Sequence, residues 1–181
     1  AAHKGDMGGC SFYGLREGSG ERYVLMNIFG GGWGGRHHAD GESAAVSICQ
    51  GDVRNTPVEL QEIHYPFLLE YHRLRPDSGG PGRFRGGLGV ELKYRALEKS
   101  TVNVMLERIL EPPWGTNGGH DGRSNAATLS SSGTERPVTK ESNIALSPGD
   151  TVVFRTAGGG GYGDPSLRDP QEILEDLRQG Y

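Results

Sequence analysis

Hydrophobic and polar residues alternate along most of the apolar stretches of this chain, with the period of two that marks half-buried strands. Strands are predicted at Tyr23–Ile28, Ala44–Cys49, Phe67–Leu74, Leu88–Leu97, Thr101–Leu106 and Thr151–Thr156, the last two rich in β-branched residues. Between them run Gly-, Pro-, Asn- and Asp-rich stretches with turn chemistry. One helix is predicted, at the C-terminus. Asp169 suits its N-cap, Pro170 its first position, Glu172 the third, and Gly180 its end. Ile173, Leu174 and Leu177 then share one apolar face. The segment 116–139 is polar and Ser/Gly-rich, and reads as an exposed excursion between strands. The fold class expected is mainly β (α+β), a Gly-rich β domain over residues 1–165 followed by a short C-terminal helix over 166–181. No repeat of 20 to 50 residues occurs, which excludes a solenoid.

Composition changes this picture at one point. Glycine makes up 31 of 181 residues, against roughly 7% in an average protein. The glycines come in clusters and not at every third position, so the chain is not collagen. The clusters alternate with apolar runs and the net charge is only −4, which argues against disorder. The mild acidity gives no electrostatic reason to bind nucleic acid or anionic lipid. No apolar stretch reaches the ~20 residues of a membrane span. Cys10 and Cys49 allow one disulfide but do not make a secreted disulfide scaffold. The N-terminus lacks the apolar segment of a signal peptide, so a cytoplasmic location is expected. A start without Met points to a processed or trimmed chain.

Several motifs invite chemistry and fail on context. His3 and the run Asp77-Ser78-Gly79-Gly80-Pro81 look like the signatures of chymotrypsin-like proteases. Too little chain precedes His3 to build a first barrel, so Asp77 and Ser78 are expected to bond local amides in a turn. Gly30/Gly32/Gly35 and Gly158/Gly160/Gly163 satisfy GxGxxG. Neither leads straight into a helix, as a pyrophosphate site requires, so the glycines are expected to let backbones pack closely or to take positive φ. His37 and His38 are adjacent and point to opposite faces of an extended segment, a poor metal pair. Arginines beside flexible glycines (Arg36, Arg83, Arg85) suit a carboxylate, a phosphate or an acidic partner. The bland alternative for each is a structural ion pair, with Asp40, Glu59 or Asp77 as partners.

In order, the segments GGGWGGRHHADGESA, QGDVRNTPVELQE, YPFLLEYHRLRPDSGGPGRFRGGLG, EPPWGTNGG, SPGD and TAGGGGYGDPSLRDPQEILEDLRQG resemble the C-terminal part of the hydantoinase B family. That family takes in the B-type chains of N-methylhydantoinases, the matching half of 5-oxoprolinases, and chains of acetone and acetophenone carboxylases. The resemblance implies an ATP-dependent amidohydrolase or ketone carboxylase, with ATP and Mg on a hydantoinase-A-like partner subunit. The B-type part would receive a phosphorylated intermediate and pass it to water or to carbon dioxide. The resemblance further implies that the remainder of the B-type chain, N-terminal to this stretch, is a partner and carries any metal. This chain alone would then bind no cofactor and be inactive, whether a small subunit, a split gene product or a fragment. Residues matching the family include Gly32, Gly34, Gly35, Arg36, Asp40, Asn55, Asp77, Arg83, Arg85, Gly160 and Gly161. Arg36 and Arg83 are the candidates for lying near substrate or phosphate, oriented by Asp40 and Asp77, with Asn55 a further candidate. A structural assembly module without a catalytic role is the alternative, and an independent small-molecule binder a third reading.

Overall fold

The computed structural model describes residues 1–5, 8–46 and 54–181. Its strands are β1 (Gly8–Leu15), β2 (Arg22–Ile28), β3 (Phe67–Leu74), β4 (Val90–Ala96), β5 (Ser100–Leu106), β6 (Ala126–Ser131), β7 (Thr134–Val138), β8 (Glu141–Leu146) and β9 (Thr151–Arg155). Two helices join them, α1 (Val58–His64) and α2 (Pro170–Gln179). The strands form a four-stranded sheet, ordered β2-β1-β5-β8, and a five-stranded sheet, ordered β3-β4-β9-β6-β7. Every pairing is antiparallel. The mainly β class with a C-terminal helix is therefore what the chain adopts.

Strand alternation builds the core. In β5, Val102, Val104 and Leu106 are buried while Thr101, Asn103 and Met105 are only partly covered. Residues from both sheets interdigitate between the layers, as in a sandwich. Phe12 of β1 meets Phe67 of β3 at 4.3 Å between ring centres and Tyr94 of β4 at 5.2 Å.

The predicted strands at 23–28, 67–74, 88–97, 101–106 and 151–156 are present with ends shifted by up to two residues. The one expected at Ala44–Cys49 is not seen among its described residues, where only Ala45 makes an isolated bridge to Gly31. Cys49 lies outside the described residues, and Cys10 is a buried free thiol whose pKa burial pushes up. The segment 116–139 is no exposed excursion. It carries β6 and β7, whose Ala127, Leu129 and Val138 are buried. Ser132 and Gly133, both at positive φ, supply the two-residue turn that closes a hairpin. Strands β1 and β8 and helix α1 also go beyond the sequence reading. α2 forms as expected: Asp169 accepts a hydrogen bond from the Gln171 amide at 2.8 Å, and Gly180 is left-handed at φ 77°.

Beyond the end of β9 the chain leaves the sheet and enters a bundle of extended glycine-rich segments. A Cβ at Gly158 or Gly161 would strike the backbone of the 78–81 segment, one at Gly159 the carbonyl of Trp33, and one at Gly160 that of Trp114. Residues 158 and 161 thus face the same neighbour while 159 and 160 face two others. That is a three-residue period, and only glycine fits such a crowded axis. Backbone hydrogen bonds cross between the segments: Gly159 N–H to Gly87 O at 2.9 Å, Gly35 N–H to Gly160 O at 2.8 Å, Gly161 N–H to His120 O at 2.8 Å. Close approach, and not positive φ, is what these four glycines provide.

Candidate functional site

One face of the glycine bundle gathers most of the charged candidates. Arg168, between a 3-10 turn at Pro165–Leu167 and α2, has a side chain only 8% exposed. Its two terminal nitrogens donate to the two oxygens of Asp40, each at 2.8 Å, a bidentate pair. They also reach Asp176 of α2 at 2.7 Å and the Arg83 carbonyl at 3.3 Å. Arg85 donates to the other oxygen of Asp176 at 3.0 Å, and its backbone amide donates to Asp40 at 2.8 Å. The Arg85 guanidinium lies 4.2 Å over the Tyr181 ring. The hydrogen bonds that Arg168 donates to Asp40 raise its pKa further above the ordinary value. Arg168 therefore bolts α2 to the bundle as a permanent cation.

This reassigns Asp40. Its carboxylate holds Arg168 and Arg85, and Arg36 bonds only the Asp40 carbonyl, at 3.1 Å, along with the Glu42 carboxylate at 3.0 Å. The reason is geometric: the Asp40 side chain faces the bundle beneath α2 while Arg36 is exposed. Arg83 is exposed too, with its guanidinium 5.4 Å from the Phe84 ring. No ion pair joins it to Asp77 among the described residues. Asp77 sits at φ 53° on the wall of a groove of about 360 Å³ under α2, shared with Arg85, Leu88, Ile173 and Leu177. Arg36, Asp40, Arg83 and Asp77 thus belong to one region, linked through Arg168 and Arg85. Arg168 was missed by the sequence reading, although its place one residue before the helix cap is visible there.

Gly32, Gly34, Gly35, Gly160 and Gly161 lie inside the bundle, and the space a side chain would take at each is filled by backbone. Their amides are engaged as well: Gly32 N–H bonds Ala157 O, Gly34 N–H bonds His3 Nδ1, and Gly160 N–H bonds Ala2 O. Amides so engaged cannot cradle phosphates, so the bundle does not fit a nucleotide. The protease-like residues are engaged in the same way. Ser78 is fully buried, donating to Arg75 O at 2.6 Å and accepting from the Gly89 amide at 2.9 Å. His37 and His38, expected on opposite faces, instead turn toward each other with ring nitrogens 3.2 Å apart, because the chain bends there and is not extended. Among the described residues no three His, Cys, Asp or Glu converge on a metal-sized site.

Asn55 lies elsewhere, on a cavity of about 190 Å³ between β4, β3 and α1. Its polar wall is Asn27, Thr56, Gln61, His72 and the Tyr94 hydroxyl, and Phe29, Leu69 and Leu92 supply apolar surface. Tyr94 Oη accepts from Asn27 at 2.5 Å and donates to Gln61 Oε1 at 3.3 Å. Gln61 in turn donates to the Thr56 carbonyl at 2.8 Å. Burial raises the Tyr94 pKa, keeping the phenol protonated, and burial lowers that of His72, favouring neutral imidazole. Among the described lining residues this histidine is the one ionisable side chain besides the tyrosine, so the cavity is suited to a neutral polar group such as an amide or ketone.

A model of the family described as hydantoinase B/oxoprolinase matches residues 1–165. The B-type chain of a putative D-/L-hydantoinase of Pseudomonas sp. (strain NS671) is 33% identical over 167 residues, which cover 90% of this chain and 28% of that protein. The crystal structure of the ATP-dependent caprolactamase from Pseudomonas jessenii superposes with a TM-score of 0.81 at 27% identity, over 99% of this chain and 33% of that one. Nucleotide-free acetone carboxylase superposes with a TM-score of 0.81 at 20% identity, over 99% of this chain and 29% of its own, a likeness of fold. The chain spans about a quarter or less of the length of the curated relatives it matches.

Proposed function

The chain belongs to the hydantoinase B/oxoprolinase family, and from that premise we propose that it is part of an ATP-dependent amidohydrolase or ketone carboxylase. It works there as a B-type component beside a hydantoinase-A-like subunit and the remainder of its own B-type chain, in the cytoplasm. The activation of an amide or ketone oxygen is the chemistry that ATP, held with magnesium on the partner, supplies. The observation that carries the reading for this chain is the cavity beside Tyr94. Its hydrogen-bonding groups are neutral, as an uncharged amide or ketone requires, and its apolar walls limit water. Asn55 and the neutral His72 line it and orient the carbonyl compound. On the bundle face, apart from that cavity, the exposed guanidiniums of Arg36 and Arg83 are assigned the role of meeting the charge of an activated intermediate that comes from the partner subunit. Asp40 acts indirectly by fixing Arg168 and Arg85, and Asp77 faces the adjoining groove.

Arg36→Gln and Arg83→Gln, made in the full assembly, test the arginine roles. ATP-dependent turnover of a hydantoin, a lactam, 5-oxoproline or acetone is expected to fall at least ten-fold, with melting temperature shifted by less than about 2 °C. Loss of activity matched by loss of thermal stability would overturn them.

A second reading, an assembly module, draws on α2. Ile173, Leu174 and Leu177 remain 43%, 46% and 69% exposed, an apolar face that suits contact with another part of the complex. If both arginine variants retain full turnover while complex formation fails on mutating this face, the assembly reading replaces the catalytic one.

A further inference from the structure

The outer face of the five-stranded sheet and its border with the glycine bundle carry an unbalanced cluster of arginines, none of them among the residues given roles above. Strand register sets Arg73 opposite Glu91 and Glu91 opposite Arg155 across β3, β4 and β9. The Glu91 carboxylate is divided between them. Arg73 donates to one oxygen at 2.7 and 3.0 Å, and Arg155 to the other at 2.8 Å. Just past the end of β3, Arg75 donates through one terminal nitrogen to the carbonyls of Ser124 at 2.8 Å and Thr156 at 2.9 Å. Those two residues directly follow Arg123 and Arg155. Holding Arg75 there therefore keeps it close enough to Arg123 and Arg155 for their charges to act on it.

Glu91 thus serves two guanidiniums, and Arg75 adds a third beside them that also feels the charge of Arg123, on a chain whose formal net charge is −4. Among the described residues Arg75 and Arg123 form no ion pair with any carboxylate. Burial, and after it repulsion from Arg123 and Arg155, bring the Arg75 pKa below its ordinary value. A guanidinium cannot shed its proton near neutral pH. The repulsion therefore persists until a counter-anion relieves it.

We propose that Arg75, Arg123 and Arg155, with Arg73 at the edge, form a binding site for a doubly charged oxyanion, a phosphate group. Arg75 is the pre-set wall, clamped on two carbonyls with its remaining N–H donors unassigned. Arg123 is the exposed fork that closes on the ligand, and planar forks of this kind match phosphate oxygens two at a time. The site is independent of the amidohydrolase or carboxylase reading, since it uses none of the residues placed there.

Calorimetric titration of the full chain with inorganic phosphate, in low-salt chloride buffer, tests it. Saturable binding is expected, weakened at least ten-fold by Arg123→Gln and by less in Arg123→Lys, which keeps the charge and loses the fork. Arg178→Gln, which removes an equal charge on α2, should leave affinity within two-fold. Melting curves for each variant verify folding, and among the described residues the Arg123 side chain makes no hydrogen bond or ion pair. Tighter binding of phenyl phosphate than of phosphate assigns the site to the phosphoryl group of a larger molecule, and equal binding assigns it to free phosphate. Loss of less than two-fold in Arg123→Gln, or equal loss in Arg178→Gln, overturns the proposal. So does Arg123-dependent binding of a polyglutamate peptide with none of phosphate, which would mark an acidic protein surface.

Discussion

Glu91 shows how far a single residue's behaviour follows from its neighbours. Burial works to raise its pKa, but hydrogen bonds from Arg73 and the charge of Arg155 prevail and bring it below 4.5. A carboxyl with a folded pKa below its unfolded one adds stability that is complete above the unfolded value. That contribution drains as pH falls through the folded value. Glu91→Gln is therefore expected to cost about 2 kcal/mol at pH 7, with the gap to the unmutated protein closing below pH 4.5. Urea unfolding at pH 7, 4.5 and 3 measures it, and a gap that stays constant with pH contradicts the assignment. The alternation of β4 already makes Glu91 an outward residue. Its sharing between two arginines was not legible, because Arg73 and Arg155 meet it only through strand register.

At the scale of elements, α2 is the clearest case of local chemistry and tertiary bonding acting together. Its cap, its Pro and its closing glycine are all readable in sequence, yet a helix of ten residues is marginal by itself in water. It is held by Arg168, which joins Asp40 and Asp176 across the helix–bundle boundary. Arg168→Met removes the cation and leaves both carboxylates without it, at a cost of about 2–3 kcal/mol for a partly solvated cluster. Hydrogen exchange in residues 170–179 is expected to quicken at least ten-fold while β4 and β9 keep their protection. Equal acceleration in the sheets would show that the cluster supports the whole fold. The β6–β7 hairpin is the opposite case. Its few apolar residues and many Ser and Thr read as a loop, and only pairing with β9 buries Ala127 and Leu129.

Over the whole molecule, a two-sheet sandwich continues into a glycine bundle in which backbone packs directly against backbone. Its cohesion comes from backbone hydrogen bonds between segments distant in sequence, so its tolerance for added atoms is near zero. Gly159→Ala places a methyl against the Trp33 carbonyl and is expected to cost about 3 kcal/mol or more, as severe overpacking does. Gly133→Ala, in the hairpin turn with open space around it, meets only the strain of its positive φ, about 1 kcal/mol. Thermal unfolding of the two variants gives the comparison, and equal losses would refute the close-packing account. Sequence alone determined the strands with clean alternation, the C-terminal helix and its caps, and the family likeness, because each depends on residues near one another or on motif order. Tertiary structure alone decided the three-residue period of the bundle, the transfer of Asp40 from Arg36 to Arg168, the cavity at Tyr94 and the arginine cluster on the outer sheet. Asp40 and Arg168 are 128 residues apart. Local propensity carries no information over that distance, where register, burial and charge decide which groups meet.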